Sequence, residues 1–264
     1  MEAEDFIKAG NLAQALLHVQ DDVRKNPADV KLRILLFQLL SVVGDWQRAA
    51  DQLGAAAELD DDARLMATAY RPAIDCEILR AEVFAGKKTP LILGQPPEWM
   101  GCLVQVLPLL AEGKHAAAAA LREQAFEAAP AVSGSVDDHP FEWIADADPR
   151  LGPVVEVMLQ GRYYWVPMAH IKEIRVEKPG SLRDAVWMPV HFVWSNGGDA
   201  AGLIPTRYSG SEACGDPSLQ LARRTEWAEL GSGFTQGTGQ RMLATDEGEY
   251  ALMDIRRVAL NTQR

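Results

Sequence analysis

Acidic and imidazole side chains are concentrated in the stretch "DDHPFEWIADADPRLG", near the middle of the 264-residue chain. Carboxylates and histidines are the ligands that divalent cations take in hydrolytic enzymes. One hypothesis is therefore a divalent-metal-dependent hydrolase centred on this acidic segment. The residues that would carry it are Asp137, Asp138, His139, Asp146 and Asp148.

The same stretch is also typical of a turn that joins two domains. Asp146 and Asp148 precede a proline, as turn and helix-cap residues often do. In this interpretation Phe141 and Trp143 pack one domain against the other, and the carboxylates are solvated or paired with Arg150. No histidine begins an H-E-x-x-H motif, so we expect the structural interpretation to hold.

Sequence motifs of other catalytic sites are not found. The chain has no G-x-S-x-G motif and no G-x-x-x-x-G-K-[ST] motif. The glycines of "GSGFTQGTGQ" do not follow a strand and open a helix, so this stretch is predicted to be a mobile loop rather than a phosphate site. We therefore predict no catalytic residue and no cofactor.

A second candidate surface is the aromatic run that begins at Arg162. Arg162, Tyr163 and Trp165 belong to the residue types that dominate binding surfaces, and they could form a platform for a sugar or a peptide. Because side chains alternate along a strand, Tyr164 faces away from its two neighbours. About half of this cluster is therefore expected to be core.

The elements that position these residues differ between the two halves of the chain. Residues 1–148 are predicted to form a tetratricopeptide-like helical repeat domain of about six or seven helices. The evidence is a 34-residue period of Gly in a turn, Ala at a helix crossing and a helix-terminating residue, with Pro72 expected to kink or restart one helix. The repeated residues are Gly10, Ala15 and Pro27; Gly44, Ala49 and Asp61; and, further along, Gly113, Ala118 and Pro130.

Residues 149–264 change to strand patterns separated by glycine-rich turns. "PVVEVMLQGRYYWVP" predicts a hairpin that turns at Gln160–Gly161, and "GQRMLATDEGEYALMDIRRV" predicts a last hairpin. Several short strands of this kind favour a small antiparallel β barrel or sandwich. The predicted fold class is therefore α+β, with the helical domain first.

Charge is distributed unevenly along the chain. Residues 1–150 carry 14 Lys and Arg against 24 Asp and Glu, whereas residues 151–264 carry 12 against 13. An acidic half without a basic stripe excludes nucleic acid as an expected partner. The amino terminus does not have the pattern of a secretory signal, and the apolar runs are too short for membrane insertion. A cytoplasmic location is expected.

Long motifs resemble the ImpE/TagJ family of type VI secretion accessory proteins, also called SciE-type proteins. They include "AEVFAGKKTPLILGQPPEW", "PFEWIADADPRLGPVVEVMLQGRYYWVP", "LIPTRYSGSE" and "LARRTEW". The resemblance implies a non-enzymatic cytoplasmic adaptor that binds the small sheath subunit TssB and is linked to the disassembly ATPase ClpV. It leaves the oligomeric state open.

Overall fold

A computed structural model describes residues 3–262 and has an α+β architecture, with helices first and sheets after them. Among these residues seven helices lie before residue 129, with strand β1 between the fifth and the sixth, and a single-turn helix lies between later strands. The helices are α1 Ala3–Lys8, α2 Leu12–Lys25, α3 Val30–Val42, α4 Trp46–Leu59, α5 Asp61–Phe84, α6 Glu98–Ala111, α7 His115–Ala128 and α8 Pro217–Gln220.

Glycine and alanine occupy the places in the helical half that the period predicts. Gly44 follows α3 with φ +75°, a conformation that lets the chain reverse directly into α4. Ala15, Ala49 and Ala118 are each completely buried, as expected for close helix crossings. Successive helices from α1 to α5 pack against each other, and α6 packs against α7, while their tetratricopeptide-like character stays a prediction.

Of the two outcomes predicted for Pro72, a kink or a restart of the helix, the restart does not occur. Helix α5 runs for 24 residues through it. A Cβ added to Gly161 would lie 3.0 Å from the Cβ of Pro72, so the proline ring packs against the hairpin of the following half. Proline therefore serves here as a contact between the helices and the sheet.

The strands form an open nine-stranded sheet, a three-stranded sheet and a two-stranded hairpin. The strands are β1 Leu91–Ile92, β2 Gly134–Val136, β3 His139–Phe141, β4 Ile144–Asp146, β5 Val154–Leu159, β6 Arg162–Pro167, β7 Ile171–Val176, β8 Trp187–Trp194, β9 Asp199–Pro205, β10 Thr225–Gly231, β11 Phe234–Gly239, β12 Met242–Thr245, β13 Glu249–Ala251 and β14 Arg257–Leu260. Short 3₁₀ helices lie at Met168–His170, Leu182–Ala185 and Ser211–Ala213.

The large sheet does not close on itself. Its order is β1-β6-β5-β9-β8-β7-β14-β2-β3, with β1 and β3 at opposite edges. The expectation of a barrel is therefore wrong. A barrel needs its first and last strands to pair, and here β1 and β3 are both short edge strands.

The two halves of the chain are interleaved. Strand β1 lies between α5 and α6, yet it pairs in parallel with β6. Strands β2, β3 and β4 also come before residue 149. The division of the chain between residues 148 and 149 stays a prediction, while β structure is already present from Gly134.

Strand β5 is buried on both faces and lies between two cores. Val154 and Met158 belong to the core shared with the helices. Val155 and Val157 belong to a second core, which also contains residues of the three-stranded sheet β13-β12-β4. Side chains at even positions of β5 thus face the helices.

Trp187, at the start of β8, is the aromatic side chain that joins the helices to the sheet. Its ring is fully buried and lies 6.3 Å from the ring of Phe37, 6.0 Å from Trp46 and 5.7 Å from Tyr70. These three partners come from α3, α4 and α5. One tryptophan therefore packs against three successive helices.

Candidate functional site

Glu156 is the centre of a buried network of charged residues between α5 and the sheet. Its carboxylate accepts hydrogen bonds from Arg80 Nε at 2.6 Å and Arg80 Nη2 at 3.0 Å. Arg241 Nη2 and the Tyr163 hydroxyl donate to the same carboxylate. We call Glu77, Arg80, Asp146, Glu156 and Arg241 the junction network.

The two arginines decide the ionisation of Glu156. Burial alone would raise its pKa, but Arg80 and Arg241 together outweigh burial and lower the pKa to about 2. Although burial acts to lower the pKa of Arg80, Glu156 and Glu77 raise it well above its usual value. The central ion pairs are therefore charged at neutral pH.

Asp146 extends the network to the second core. It is buried and pairs with Arg241 Nη1, and it also accepts from the Tyr208 hydroxyl at 3.2 Å. Burial raises its pKa to about 6 against the opposing effect of Arg241. The expectation that this carboxylate is solvated or paired with Arg150 is wrong, because Asp146 is buried and pairs with Arg241, 95 residues further along the chain.

Asp148 and Arg150 form a second buried pair beside the network. Arg150 Nη2 lies 2.5 Å from Asp148 Oδ2, and the Arg150 guanidinium lies 4.9 Å from the centre of the Phe84 ring at the end of α5. Asp148 also accepts from the backbone N–H of Gly237 at 3.2 Å. The sequence-predicted pairing with Arg150 is present, but inside the protein.

Glu77 and Arg207 extend the polar contacts toward α3. Trp187 Nε1 donates to Glu77 Oε1 at 3.2 Å, and burial raises the pKa of Glu77 despite the opposing Arg80. Arg207 Nη1 donates to the carbonyl of Val42 at 2.7 Å, in the last turn of α3. A cation placed at a helix carboxyl end satisfies free carbonyls there and favours the helix dipole.

The network has the properties of a structural joint rather than of a catalytic centre. Glu156 and Asp146 both have arginine partners, and the cavity beside Asp146 and Arg241 measures about 10 Å³. That volume accommodates about one water molecule. A substrate would have no access to these carboxylates.

The residues of the metal hypothesis do not come together. Asp137 and Asp138 form the β2–β3 turn with φ of 46° and 70°, and the Asp137 carboxylate accepts from the backbone N–H groups of Arg256 and Arg257. Asp146 lies in the junction network instead. Within residues 3–262, no group of three or more His, Cys, Asp or Glu side chains is placed to hold a metal ion.

The aromatic residues of the acidic stretch lie in different environments. Phe141 is buried in the second core. Trp143 is 41% exposed, and its backbone N–H and that of Glu142 donate to Asp246. Trp143 therefore does not pack the helices against the sheet, and Trp187 does so in its place.

The aromatic run on β6 faces the interior rather than solvent. Tyr163 and Trp165 are fully buried, and Trp165 Nε1 donates to the Tyr163 hydroxyl at 2.8 Å, which in turn donates to Glu156. Arg162 is exposed and Tyr164 is half-buried. The two rings support the junction network and do not form an exposed platform.

A groove of about 560 Å³ lies between α5 and the sheet. Pro72 and Cys76 of α5 form one wall, while Met158 and Leu203 contribute to the other. Burial, followed by the nearby Glu77, raises the pKa of the Cys76 thiol to about 12. A thiol that stays protonated is a poor nucleophile, so Cys76 is not an activated nucleophile in this groove.

A Pseudomonas aeruginosa protein named type VI secretion system accessory component TagJ is 52% identical to this chain over 256 residues. The match covers 97% of this chain and 90% of the relative. The chain belongs to the ImpE/TagJ family. The family model described as ImpE protein matches residues 138–259, which include Asp146, Glu156 and Arg241.

A crystal structure has the same fold as this ImpE/TagJ chain. It is that of protein VPA1032 from Vibrio parahaemolyticus, with a TM-score of 0.89 and 25% sequence identity. The superposition covers 99% of this chain and 98% of the other. No helix within residues 3–262 is both long and apolar enough to cross a bilayer.

Sequence reasoning about this family member missed Arg80, Glu156 and Arg241. The sequence does contain a pattern that could have identified Arg80 as buried. Arg80 follows Glu77 by three residues, and both lie on the face of α5 that contains the buried Ala73. Glu156 interrupts the apolar run of β5. Charged residues at core positions of two elements indicate a buried pair.

Proposed function

We propose that this protein is a non-enzymatic accessory factor of a type VI secretion system that binds a TssB-like sheath subunit and is linked to the ClpV ATPase. The observation that carries the proposal is the 52% identity to TagJ over nearly the whole chain. TssB and ClpV come from the family resemblance of the long motifs. A cytoplasmic location belongs to the same proposal.

The chemistry of the buried groups supports a binding role over catalysis. The central carboxylate of the junction network, Glu156, is held by two arginines. Cys76 has a raised thiol pKa. The hydrolase hypothesis receives no support, because its ligands are divided between an exposed turn and a buried ion pair.

The groove beside α5 is the surface that we propose for the TssB-like partner. Its walls are largely apolar, and Glu177 lies at its rim. Amphipathic helices bind grooves of this kind through apolar anchors, with charge setting their orientation. Because the helical half carries the excess of acidic residues, the bound helix should present a basic face and associate more slowly at high salt.

Titration of a purified TssB-like subunit into the full chain tests the groove. Ala69 is exposed in the wall of the groove, so Ala69→Arg should weaken binding at least about tenfold without changing the melting temperature. Ala117→Arg, on an exposed position of α7, is the matched control and should bind normally. Equal binding by both variants would exclude the groove.

The accessory role itself is tested by an affinity pull-down from cells that express the secretion machinery. Recovery of the TssB-like subunit together with ClpV is expected. If the subunit is recovered but Ala69→Arg binds it normally, the interface lies on a surface other than the groove. Loss of both partners under conditions in which the sheath is expressed would overturn the proposed function.

A further inference from the structure

A cleft of about 620 Å³ lies where the end of α1 meets the segments that flank β7 and β14. Three cationic side chains line it: Lys178 after β7, Arg223 after α8 and Arg256 before β14. The chain as a whole has a net charge of −11. A positively charged cleft is therefore a local feature that the overall charge does not explain.

The three cations of this cleft have no carboxylate partners within residues 3–262. Arg223 donates to two backbone carbonyls at the end of α1, at 2.8 and 3.0 Å, and Arg256 donates to two carbonyls of the chain just before it. Lys178 makes no hydrogen bond or ion pair in the same range. By contrast, the next arginine, Arg257, is paired with Glu173. Neutral carbonyls thus position the two guanidinium groups of the cleft without compensating their charge.

The other polar groups near the cleft already have partners inside the protein. The side-chain amide of Gln240 bonds to backbone groups of two neighbouring segments, at 2.8 and 2.9 Å. The backbone N–H groups of Gly180 and Ser181 would suit a phosphate, but they donate to the Asp184 carboxylate at 2.7 and 2.8 Å. Among the described residues, Asp254 is the one carboxylate in the lining. The polar chemistry that remains for a ligand is therefore mainly cationic.

Apolar side chains form much of the remaining wall. Ile7, Leu182 and Met253 are half-buried, and Leu221 is buried. Clefts of this size hold ligands that bury apolar surface as well as polar groups. A free phosphate has no apolar surface to bury, whereas a peptide does. The cleft thus fits a segment in which an apolar side chain lies between carboxylates.

We propose that this cleft binds an acidic peptide segment of a partner protein, with carboxylates on Lys178, Arg223 and Arg256. Guanidinium groups bind carboxylates through paired N–H donors. Each of the two arginines uses only two of its five N–H groups on the carbonyls. Glu177 lines the groove beside α5, whereas the next residue lines the cleft, so the two surfaces select segments of opposite charge. The inference does not depend on the TssB-like partner.

Fluorescence anisotropy of a labelled pentapeptide tests the cleft. The probe is Glu-Glu-Leu-Glu-Glu with fluorescein at its amino end and an amide at its carboxyl end, titrated with the full chain at about 0.15 M salt. Saturable binding with a dissociation constant below about 1 mM is expected. Lys178→Glu should raise that constant at least about tenfold, because it puts a like charge beside the carboxylates.

Lys172→Glu is the matched control for this variant. Lys172 is exposed on β7, lies outside the lining and makes no ion pair within residues 3–262. The control changes net charge by the same amount and should bind within about twofold of the wild type. Neither variant should change the melting temperature. Equal weakening by both variants, or no binding by the wild type at 1 mM peptide, would overturn the proposal.

Three further probes test the class of ligand. Gln-Gln-Leu-Gln-Gln should not bind, because it lacks carboxylates. Glu-Glu-Gly-Glu-Glu should bind at least about threefold more weakly than the leucine peptide, because it buries no apolar side chain. Inorganic pyrophosphate should displace the labelled peptide only at concentrations well above those of the unlabelled peptide. Displacement at equal or lower concentrations would assign the cleft to a phosphate-bearing ligand and overturn the proposal.

A carbodiimide cross-link locates the bound peptide by a second measurement. The reagent joins a carboxylate to a lysine amine that touches it, and mass spectrometry identifies the lysine. We expect the peptide on Lys178 and not on Lys172. Lys178→Arg keeps the charge, so it should bind the peptide but lose the cross-link. Cross-links spread equally over the exposed lysines would contradict the site.

Discussion

Glu156 binds two arginines that lie far from it in sequence, one before it and one after it. Arg80 precedes it by 76 residues and Arg241 follows it by 85. Ion pairs taken out of water give little net stabilisation, but removing one partner leaves an unpaired buried charge and destabilises by about 3–5 kcal/mol. The junction network therefore makes correct assembly of helices and sheet a condition for folding.

The free energy of unfolding should be highest at about pH 4 to 5. Burial raises the pKa of Asp146 to about 6, and it also raises the pKa of Glu77. Between about pH 4 and 6 the folded state therefore binds more protons than the unfolded state, and the free energy of unfolding falls as pH rises through this range. Glu156, with a pKa lowered to about 2, stabilises above about pH 4.5 and loses this effect as pH falls toward 2. Urea unfolding across this range measures both limbs.

Asp146→Asn is the matched variant for the upper limb. An asparagine imitates the protonated carboxyl. The free energy of unfolding of this variant should therefore fall by about 2–3 kcal/mol less than that of the wild type between about pH 4 and 7. Stability that rises steadily to neutral pH in the wild type would contradict the protonation assigned to Asp146.

Truncation of two tryptophans should change stability by very different amounts. Trp187→Ala removes a buried ring that contacts three helices, and we expect a loss of about 3–5 kcal/mol. Trp143→Ala changes a ring that is 41% exposed and should stay within about 1 kcal/mol. Chemical denaturation of both variants provides the comparison, and a larger loss for Trp143 would restore it as the residue joining the domains.

The acidic stretch shows what residue-level reasoning could and could not provide. Pairing with Arg150 was one of two expectations for these carboxylates, the other being exposure to solvent, and Asp148, two residues away, does form that pair. Local spacing did not predict the burial of Asp146, because Arg241 and Tyr208 reach it from distant strands. A carboxylate's environment is a property of the fold, and turn chemistry carries no information about it.

At the scale of elements, local patterns were most informative where contacts are local. The predicted hairpin turn at Gln160–Gly161 is confirmed by positive φ at both residues. The stretch predicted to be a mobile loop instead contains β11, since Phe234 is buried under Arg122 and Gly237 packs on Tyr208. Glycine-rich strands do not show the alternation that identifies a strand in sequence.

Gly237→Ala tests how closely the hairpin packs. A Cβ at Gly237 would lie 2.4 Å from the ring of Tyr208, so the variant should lose about 1–3 kcal/mol. Gly54 lies in α4 with open space around its Cβ position, and Gly54→Ala should stabilise by about 0.5–1 kcal/mol. Thermal unfolding compares the pair, and equal effects of the two changes would argue against a packed hairpin.

At the scale of the whole molecule, the helices and the sheet share one core. Leu151 and Arg150 are buried beside the Asp148 carboxylate. Limited proteolysis at residues 145–152, the position of the predicted domain boundary, should therefore require partial unfolding. We expect the first cuts in the loop after α5, at the exposed residues 87–89, or at the tip of the β10–β11 hairpin. Mass spectrometry of early fragments identifies the sites, and early cutting at residues 145–152 would instead favour two separable domains.

The order in which the chain is synthesised gives the interleaved topology a further consequence. Helix α5 leaves the ribosome with Glu77 and Arg80 on its inward face, whereas Glu156 follows 76 residues after Arg80 and Arg241 comes close to the end of the chain. At about 5–20 residues per second, α5 waits several seconds or longer for these partners. Until then Arg80 has only Glu77 of its own helix as an ion-pair partner, and β1 lacks its partner β6. The junction network therefore forms only after Arg241 has been synthesised.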